Sequence, residues 1–338
     1  MKMTDWQRRH ARIGGTMAAS IALLLGACTA SADTASPPAD IPIAGEQIYP
    51  ESMDSDAAGN IYVGSNGGTI YRAEAGAGEA LPWIVPDAEN GLQSLYGVLV
   101  DEPHGLLWTC SNPDLFAGGA NAAPAALKAF DLASGKLAAS YDFPAGKPTA
   151  CNDIAIAADG SAFATETISG RIFQLAPGAD AMTLFAEGQD LVGVDGIAFA
   201  DDGTMYINNV RQNLLQRVER GDDGAYAGLT TLTLSQPVSG PDALRPLDGN
   251  RFLQAEGPAG RIAIVTVDGD KAEVTTVKDG FDSTAAATRV GGTGYTVEGK
   301  IAYRVDPALK GKDPGPFIIR AFALPEGIRR RPSRNTER

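Results

Sequence analysis

Six residues lead six similar segments of this chain: Glu51, Tyr96, Asn152, Asp195, Asp242 and Thr284, spaced 45, 56, 43, 47 and 42 residues apart. Three are carboxylates and one is an amide. If the fold brings them to one place, the carboxylates repel one another and burial raises their pKa values. A hard cation removes the conflict. Carboxylate and amide oxygens without sulfur or imidazole suit Ca²⁺, whose flexible coordination accepts ligands from separate elements. The chain holds only two histidines, His10 and His104, which argues against a histidine-rich metal site or a Ser-His-Asp hydrolase. His104 lies in the turn Asp101-Glu-Pro-His-Gly105 and reads as a surface residue on the opposite face.

The elements that must position these residues are strands. Each leading residue opens a short alternating segment. A Gly-containing turn and a second apolar segment follow, as in Asp195-Gly-Ile…Gly203-Thr-Met-Tyr-Ile207. Third strands include Gly68-Thr-Ile-Tyr-Arg72, Gly170-Arg-Ile-Phe-Gln174, Gly260-Arg-Ile-Ala-Ile264 and Gly299-Lys-Ile-Ala-Tyr303. Fourth strands include Leu81-Pro-Trp-Ile-Val85 and Leu229-Thr-Thr-Leu-Thr-Leu234. Period-2 alternation with β-branched residues marks strands, and four strands per unit of this length is the spacing of a propeller blade. The chain therefore reads as all-β, a six-bladed β-propeller of four-stranded antiparallel blades around a central channel. Superposition places the leading residues at one mouth of the channel. The ends of the second strands return to that face, adding Asn66, Asn112, Glu166, Asn208, Asn209, Glu256 and Glu298. Residues 317–323 read as the last outer strand, and the strand order that closes the ring is left open.

Composition sets the remaining bounds. The 338 residues carry a net charge of −13, which opposes general nucleic-acid binding. Forty Gly and 21 Pro fit a turn-rich β protein. Lys2, Arg8, Arg9 and Arg12 precede an uncharged run over residues 13–27, the pattern of an export signal. Its end, Leu25-Gly-Ala-Cys28, resembles a bacterial lipoprotein box. That resemblance implies acylation of Cys28 and removal of residues 1–27, with a membrane attachment made only through lipid. Thr29 in place of Asp points to the outer membrane, facing the periplasm. Removal of the signal takes the net charge from −13 to about −16. Residues 28–44 read as a flexible tether, 45–325 as the propeller, and 326–338 as a basic, solvated tail. Export permits a disulfide between Cys110 and Cys151. Spacing leaves them either bridged or as small buried thiols.

Pro50-Glu51-Ser52, Cys151-Asn152-Asp153-Ile154-Ala155 and Val194-Asp195-Gly196-Ile197-Ala198 resemble the metal-ligand segments of the senescence-marker-protein/regucalcin/gluconolactonase family. The similarity runs over residues 45–323. It is strongest over 152–218 and at Gly240-Pro-Asp-Ala-Leu-Arg245. The resemblance implies a central divalent metal held by Glu51, Asn152 and Asp195, and hydrolysis of a lactone or related ester. Asp195, with Asp242 second, would activate water. Tyr96, Asn112, Glu166, Asn208, Glu256 and Glu298 are candidate contacts to a small-molecule substrate or to the ligands. The family's sugar lactonases carry an Arg and an Asn-Asp at the rim of the second blade. Here that rim reads Leu95-Tyr96-Gly97, which counts against a sugar acid lactone. The alternative is a non-catalytic, envelope-anchored propeller that binds a ligand or protein around a structural Ca²⁺. An insertion over residues 112–124 lengthens the second unit and is a candidate lid over the mouth.

Overall fold

The structure, a computed structural model, describes residues 39–116, 124–145 and 148–328. Cys28, the export signal, most of the insertion and the last ten residues lie outside them.

Six antiparallel sheets account for nearly all of the secondary structure. Blade I is built from Pro50–Ser55, Ile61–Ser65, Ile70–Ala73 and Leu81–Ile84. Blade II comprises Ser94–Asp101, Leu106–Asn112, Ala126–Asp131 and Leu137–Asp142. Blade III comprises Cys151–Ile156, Ala162–Glu166, Arg171–Leu175 and Thr183–Glu187. Blade IV follows with Val194–Phe199, Met205–Asn209, Leu214–Arg220 and Tyr226–Thr231. Blade V is Pro241–Asp248, Arg251–Glu256, Arg261–Asp268 and Lys271–Lys278, and blade VI begins with Thr284–Val290, Thr293–Glu298 and Ile318–Ala323. The innermost strands touch in cyclic order, blade VI returning to blade I. This is the six-bladed propeller expected from the repeat.

The ring is closed by residues 41 and 42, which pair antiparallel with Ile318 and Ile319 as the fourth strand of blade VI. Part of the stretch read as tether is therefore sheet. Chain closure from the opposite terminus ties the first and last blades together and leaves blade VI without a missing edge. Three further differences concern the last strands. Residues 299–303 are not a third strand but lead into the short helix Ala302–Val305, and Ile318–Ala323 is the third strand instead. The run 229–234 is divided: Tyr226–Thr231 ends blade IV, whereas Thr233–Leu234 pairs parallel with the edge of blade V. At the C-terminal end, Glu326–Ile328 forms a turn whose Ile328 is buried, so the first residues of the predicted tail belong to the fold.

Alternation buries one face of each sheet against the next blade, so the apolar core is a ring of six clusters between neighbouring blades. Tyr62, Ile84, Leu95 and Phe130 join blades I and II. Trp108, Leu127, Ile154 and Phe173 join II and III, and Ile43, Met53, Val297 and Ile319 join VI and I. Asparagine and threonine side chains fasten the inner edges. Asn66 Nδ2 donates to Leu95 O, Asn112 bonds both N and O of Cys151, and Thr165 Oγ1 donates to Asp195 O.

Cys110 of blade II and Cys151 of blade III form a disulfide, with Cα atoms 5.3 Å apart and a sequence separation of 41. Closing a loop of that length restricts the unfolded chain by about 4 kcal/mol in the chain-entropy picture. Replacing both cysteines with Ala is expected to lower the melting temperature by several degrees, with a circular dichroism melt as the measurement. Intact mass before and after reduction and alkylation reports the bridge directly.

Candidate functional site

All six inner strands depart from regular pairing at their first residues. The register shifts lie between Pro50 and Ser52, Leu95 and Val98, Cys151 and Ile154, Val194 and Ile197, Pro241 and Leu244, and Thr284 and Ala286. A bulge re-aims the side chains beside it, and here it does so at the position of each leading residue. Two glycines let the bulges approach one another. A Cβ at Gly97 would overlap the carbonyl oxygen of Asn152, and one at Gly196 would overlap that of Asp242.

The result is a narrow recess at the channel mouth, lined by Glu51, Asn152, Asp153, Asp195 and Asp242. Asn152 Nδ2 donates to Asp195 Oδ2 at 2.7 Å and to Thr167 Oγ1 at 2.8 Å. Asp242 lies close to Asp195 and raises its carboxyl pKa. Asp195 Oδ1 and Asp153 Oδ1 are buried without a hydrogen-bond partner.

Electrostatics follow from this crowding. Glu51, Asp195 and Asp242 are all pushed well above the usual carboxylate range, chiefly by burial and then by neighbouring carboxylates. The nearest compensation is Arg245, which occupies the channel below the recess. Its Nη1 donates to Asp153 Oδ2 at 2.8 Å, and Nη2 donates to Val98 O at 3.1 Å. Arg245 therefore links blades V, III and II. Asp54 lies further along the channel and accepts from Val100 N at 2.9 Å. Its carboxyl is raised by burial, an effect that Arg245 opposes.

The donor set fits a hard cation. It offers oxygen only, with more carboxylates than Arg245 can neutralise and a buried, unpartnered oxygen on Asp195. Among the described residues, no group of three or more His, Cys, Asp and Glu side chains is already spaced to hold a metal ion. One carboxylate oxygen of Asp195 is turned onto Asn152 instead.

Tyr96 and Thr284 line a second, larger cavity above the recess, of about 100 Å³, together with Glu51, Asn66, Asp242, Phe116 and Ile301. Burial and the Glu51 charge raise the Tyr96 phenol well above its ordinary value, so it remains a neutral donor. The remaining candidate contacts, Asn112, Glu166, Asn208, Glu256 and Glu298, line neither cavity. Asn112 bonds the backbone of Cys151. Asn208 holds the bulges of blades IV and V, accepting from Gly196 N and donating to Asp242 O. The three glutamates share one structural task. Each accepts a backbone N–H from the segment entering its own blade, at Ala150, Ser239 and Asp282. Each also pairs with an arginine of the third strand, at Arg171, Arg261 and Arg320. The five-residue interval from Glu166 to Arg171 and from Glu256 to Arg261 is the sequence signal for this pairing.

Asp153 and Arg245 are the buried charges that sequence reasoning assigned no role. Both sit inside segments whose resemblance was noted, one residue after Asn152 and three after Asp242. Their importance depends on the bulges, which a strictly alternating reading does not contain. His104 falls in the turn Glu102–His104, where its Nδ1 bonds Asp101 at 2.8 Å. It lines neither cavity.

Comparison with known proteins places this architecture among propellers of varied chemistry. A family model for the N-terminal part of strictosidine synthase-like proteins matches residues 41–73. No curated protein matches. A luciferin-regenerating enzyme is 11% identical, with a TM-score of 0.59 over 86% of this chain and 97% of that one. A structure assigned to the gluconolactonase family is 15% identical, with a TM-score of 0.57 over 86% of this chain and 95% of that one. Virginiamycin B lyase from Staphylococcus aureus is 14% identical, with a TM-score of 0.53 over 76% of this chain and 94% of that one. At these identities the likeness is one of fold, and the chain is a six-bladed β-propeller.

Proposed function

We propose that this protein is a divalent-metal-dependent hydrolase that opens a lactone or related ester. The observation that carries the reading is the convergence of Glu51, Asn152, Asp195 and Asp242 on one recess, with carboxylates raised by burial and mutual repulsion. Glu51, Asn152 and Asp195 would hold the cation, with Ca²⁺ the best match to an all-oxygen donor set. A bound cation supplies charge stabilisation to a carbonyl oxygen as it becomes an oxyanion. Asp195, with its neighbour Asp242, accepts the proton of the attacking water, a role that suits a carboxyl group raised toward neutrality. The protein acts on a small molecule, not nucleic acid. It is exported and held at the outer membrane by lipid on Cys28.

The test is a calorimetric Ca²⁺ titration of a soluble chain beginning at Thr29, run beside Asp195→Ala. One site present in the parent and lost in the variant supports the assignment and is followed by lactone turnover with and without chelator. Absence of binding by the parent protein overturns the metal reading and leaves the envelope-anchored binding propeller.

Stability supplies a second readout. Carboxyl groups with raised pKa values bind more protons in the folded than in the unfolded state, from about pH 4 up to the raised values. Stability of the metal-free protein therefore falls as pH rises through that window. Ca²⁺ takes the place of the protons, so the rise in melting temperature on adding it is expected to be larger at pH 8 than at pH 5.5. Equal shifts at both pH values would place any bound Ca²⁺ away from this recess.

A further inference from the structure

The cavity above the recess has a composition of its own. Its floor is acidic, formed by Glu51 and Asp242; Pro50, Phe116 and Ile301 form an apolar side, and Asn66, Tyr96, Ser283 and Thr284 a polar one. No Lys or Arg lines it among the described residues. The nearby cation, Arg304, is already engaged: its Nη2 donates to Asp114 Oδ2 at 2.5 Å. Its guanidinium also lies 4.9 Å from the ring centre of Phe116 and 5.5 Å from that of Tyr49. Phe116 enters from blade II and Ile301 from the segment after blade VI. Arg304 thus pins two apolar walls, from opposite ends of the chain, over one mouth.

We infer that this chamber selects neutral lactones or esters bearing an apolar substituent, with Phe116 and Ile301 as specificity-determining residues and Arg304 as the positioning residue that holds Phe116. The inference rests on the proposed hydrolase reading for its chemistry, but the selection stands on the chamber alone. The chamber's own side chains offer an anionic ligand no counter-charge. The Pro50, Phe116 and Ile301 side of the chamber offers no side-chain partner to a hydroxyl, and a buried unpartnered hydroxyl is costly. An alkyl chain has no such cost and gains by leaving water.

The experiment separates binding from turnover. Binding is measured by calorimetry with 2-hexylcyclopentanone, a ketone that mimics an alkyl lactone and cannot be hydrolysed. Turnover is measured with γ-lactones of increasing alkyl length and with a polyhydroxylated aldonolactone, all in Ca²⁺. The ketone is expected to bind, with about tenfold weaker affinity in Phe116→Ala, as loss of most of one ring's contact implies. In turnover, kcat/KM is expected to rise with chain length and to flatten in Phe116→Ala and Ile301→Ala. Arg304→Gln should raise KM for the longer lactones with little change in kcat, whereas a merely structural role would lower kcat for all substrates together. Ketone binding without any turnover sinks the hydrolase reading and leaves the chamber's selectivity standing. No ketone binding, or preference for the aldonolactone, overturns the inference itself.

Discussion

Asp195→Asn is expected to lower hydrolysis by about 10²- to 10⁴-fold, the range for removal of a general base, while weakening Ca²⁺ binding much less. The asymmetry follows from the chemistry of the substitution. An amide oxygen still offers a lone pair to a cation, and Asn152 is already such a donor in the proposed set. An amide nitrogen cannot accept the proton of water. Single-turnover kinetics beside calorimetry on the same preparation makes the comparison. Equal losses in rate and affinity would reduce Asp195 to a ligand and move the base to Asp242, which lines the same recess. Asp242→Asn then becomes the more damaging variant for the rate. Retention of activity by both variants would remove the recess from the chemistry.

Arg245→Met is expected to cost about 3–5 kcal/mol, the penalty for breaking a buried ion pair and leaving one charge alone. Asp153 would lose its partner in the channel, where its Oδ1 already has none and Glu51 and Asp195 crowd the same recess. The backbone oxygens of Val98 and Leu244 would lose their donor as well. Denaturant unfolding measures the loss. The double variant Arg245→Met, Asp153→Leu is expected to recover much of it, since removing both charges also removes the desolvation penalty. Failure of the double variant to recover would mean that Arg245 matters mainly as a hydrogen-bonded link between blades. Because Arg245 lies beneath the recess and lines no part of the larger chamber, the same variants should leave ketone binding above it nearly unchanged if the fold is retained.

These two expectations separate the two uses of buried charge in this protein. Glu166, Glu256 and Glu298 are each matched to an arginine and to a backbone N–H. They stabilise the turns beside the mouth and have no charge left over. Glu51, Asp195 and Asp242 are not matched in this way, and their carboxyl pKa values are pushed well above the usual range by burial and by one another. Excess charge of one sign, kept in a recess despite its cost, is the physical mark of a site that awaits a counter-charge.

The architecture was legible from residues alone because it is written six times. Alternation and a turn every few residues are local properties, and a period of about one blade survives even where single units degrade. The positions of Glu51, Asn152, Asp195 and Asp242 at one mouth followed from superposing those units. Four matters were decided only by tertiary structure. Ring closure by residues 41 and 42 depends on two chain ends meeting, which no local pattern encodes. The disulfide depends on the separation of neighbouring blades. Glutamates that sit at the correct end of their strands are drawn to arginines across a turn rather than to the site, because side-chain direction at a strand end is set by the turn that follows. Asp153 and Arg245 enter the channel because bulges break the alternation at each mouth. Repetition in the sequence therefore determined where the strands run and where they converge, whereas the close packing of one blade on the next determined which of the converging charges remain without a partner.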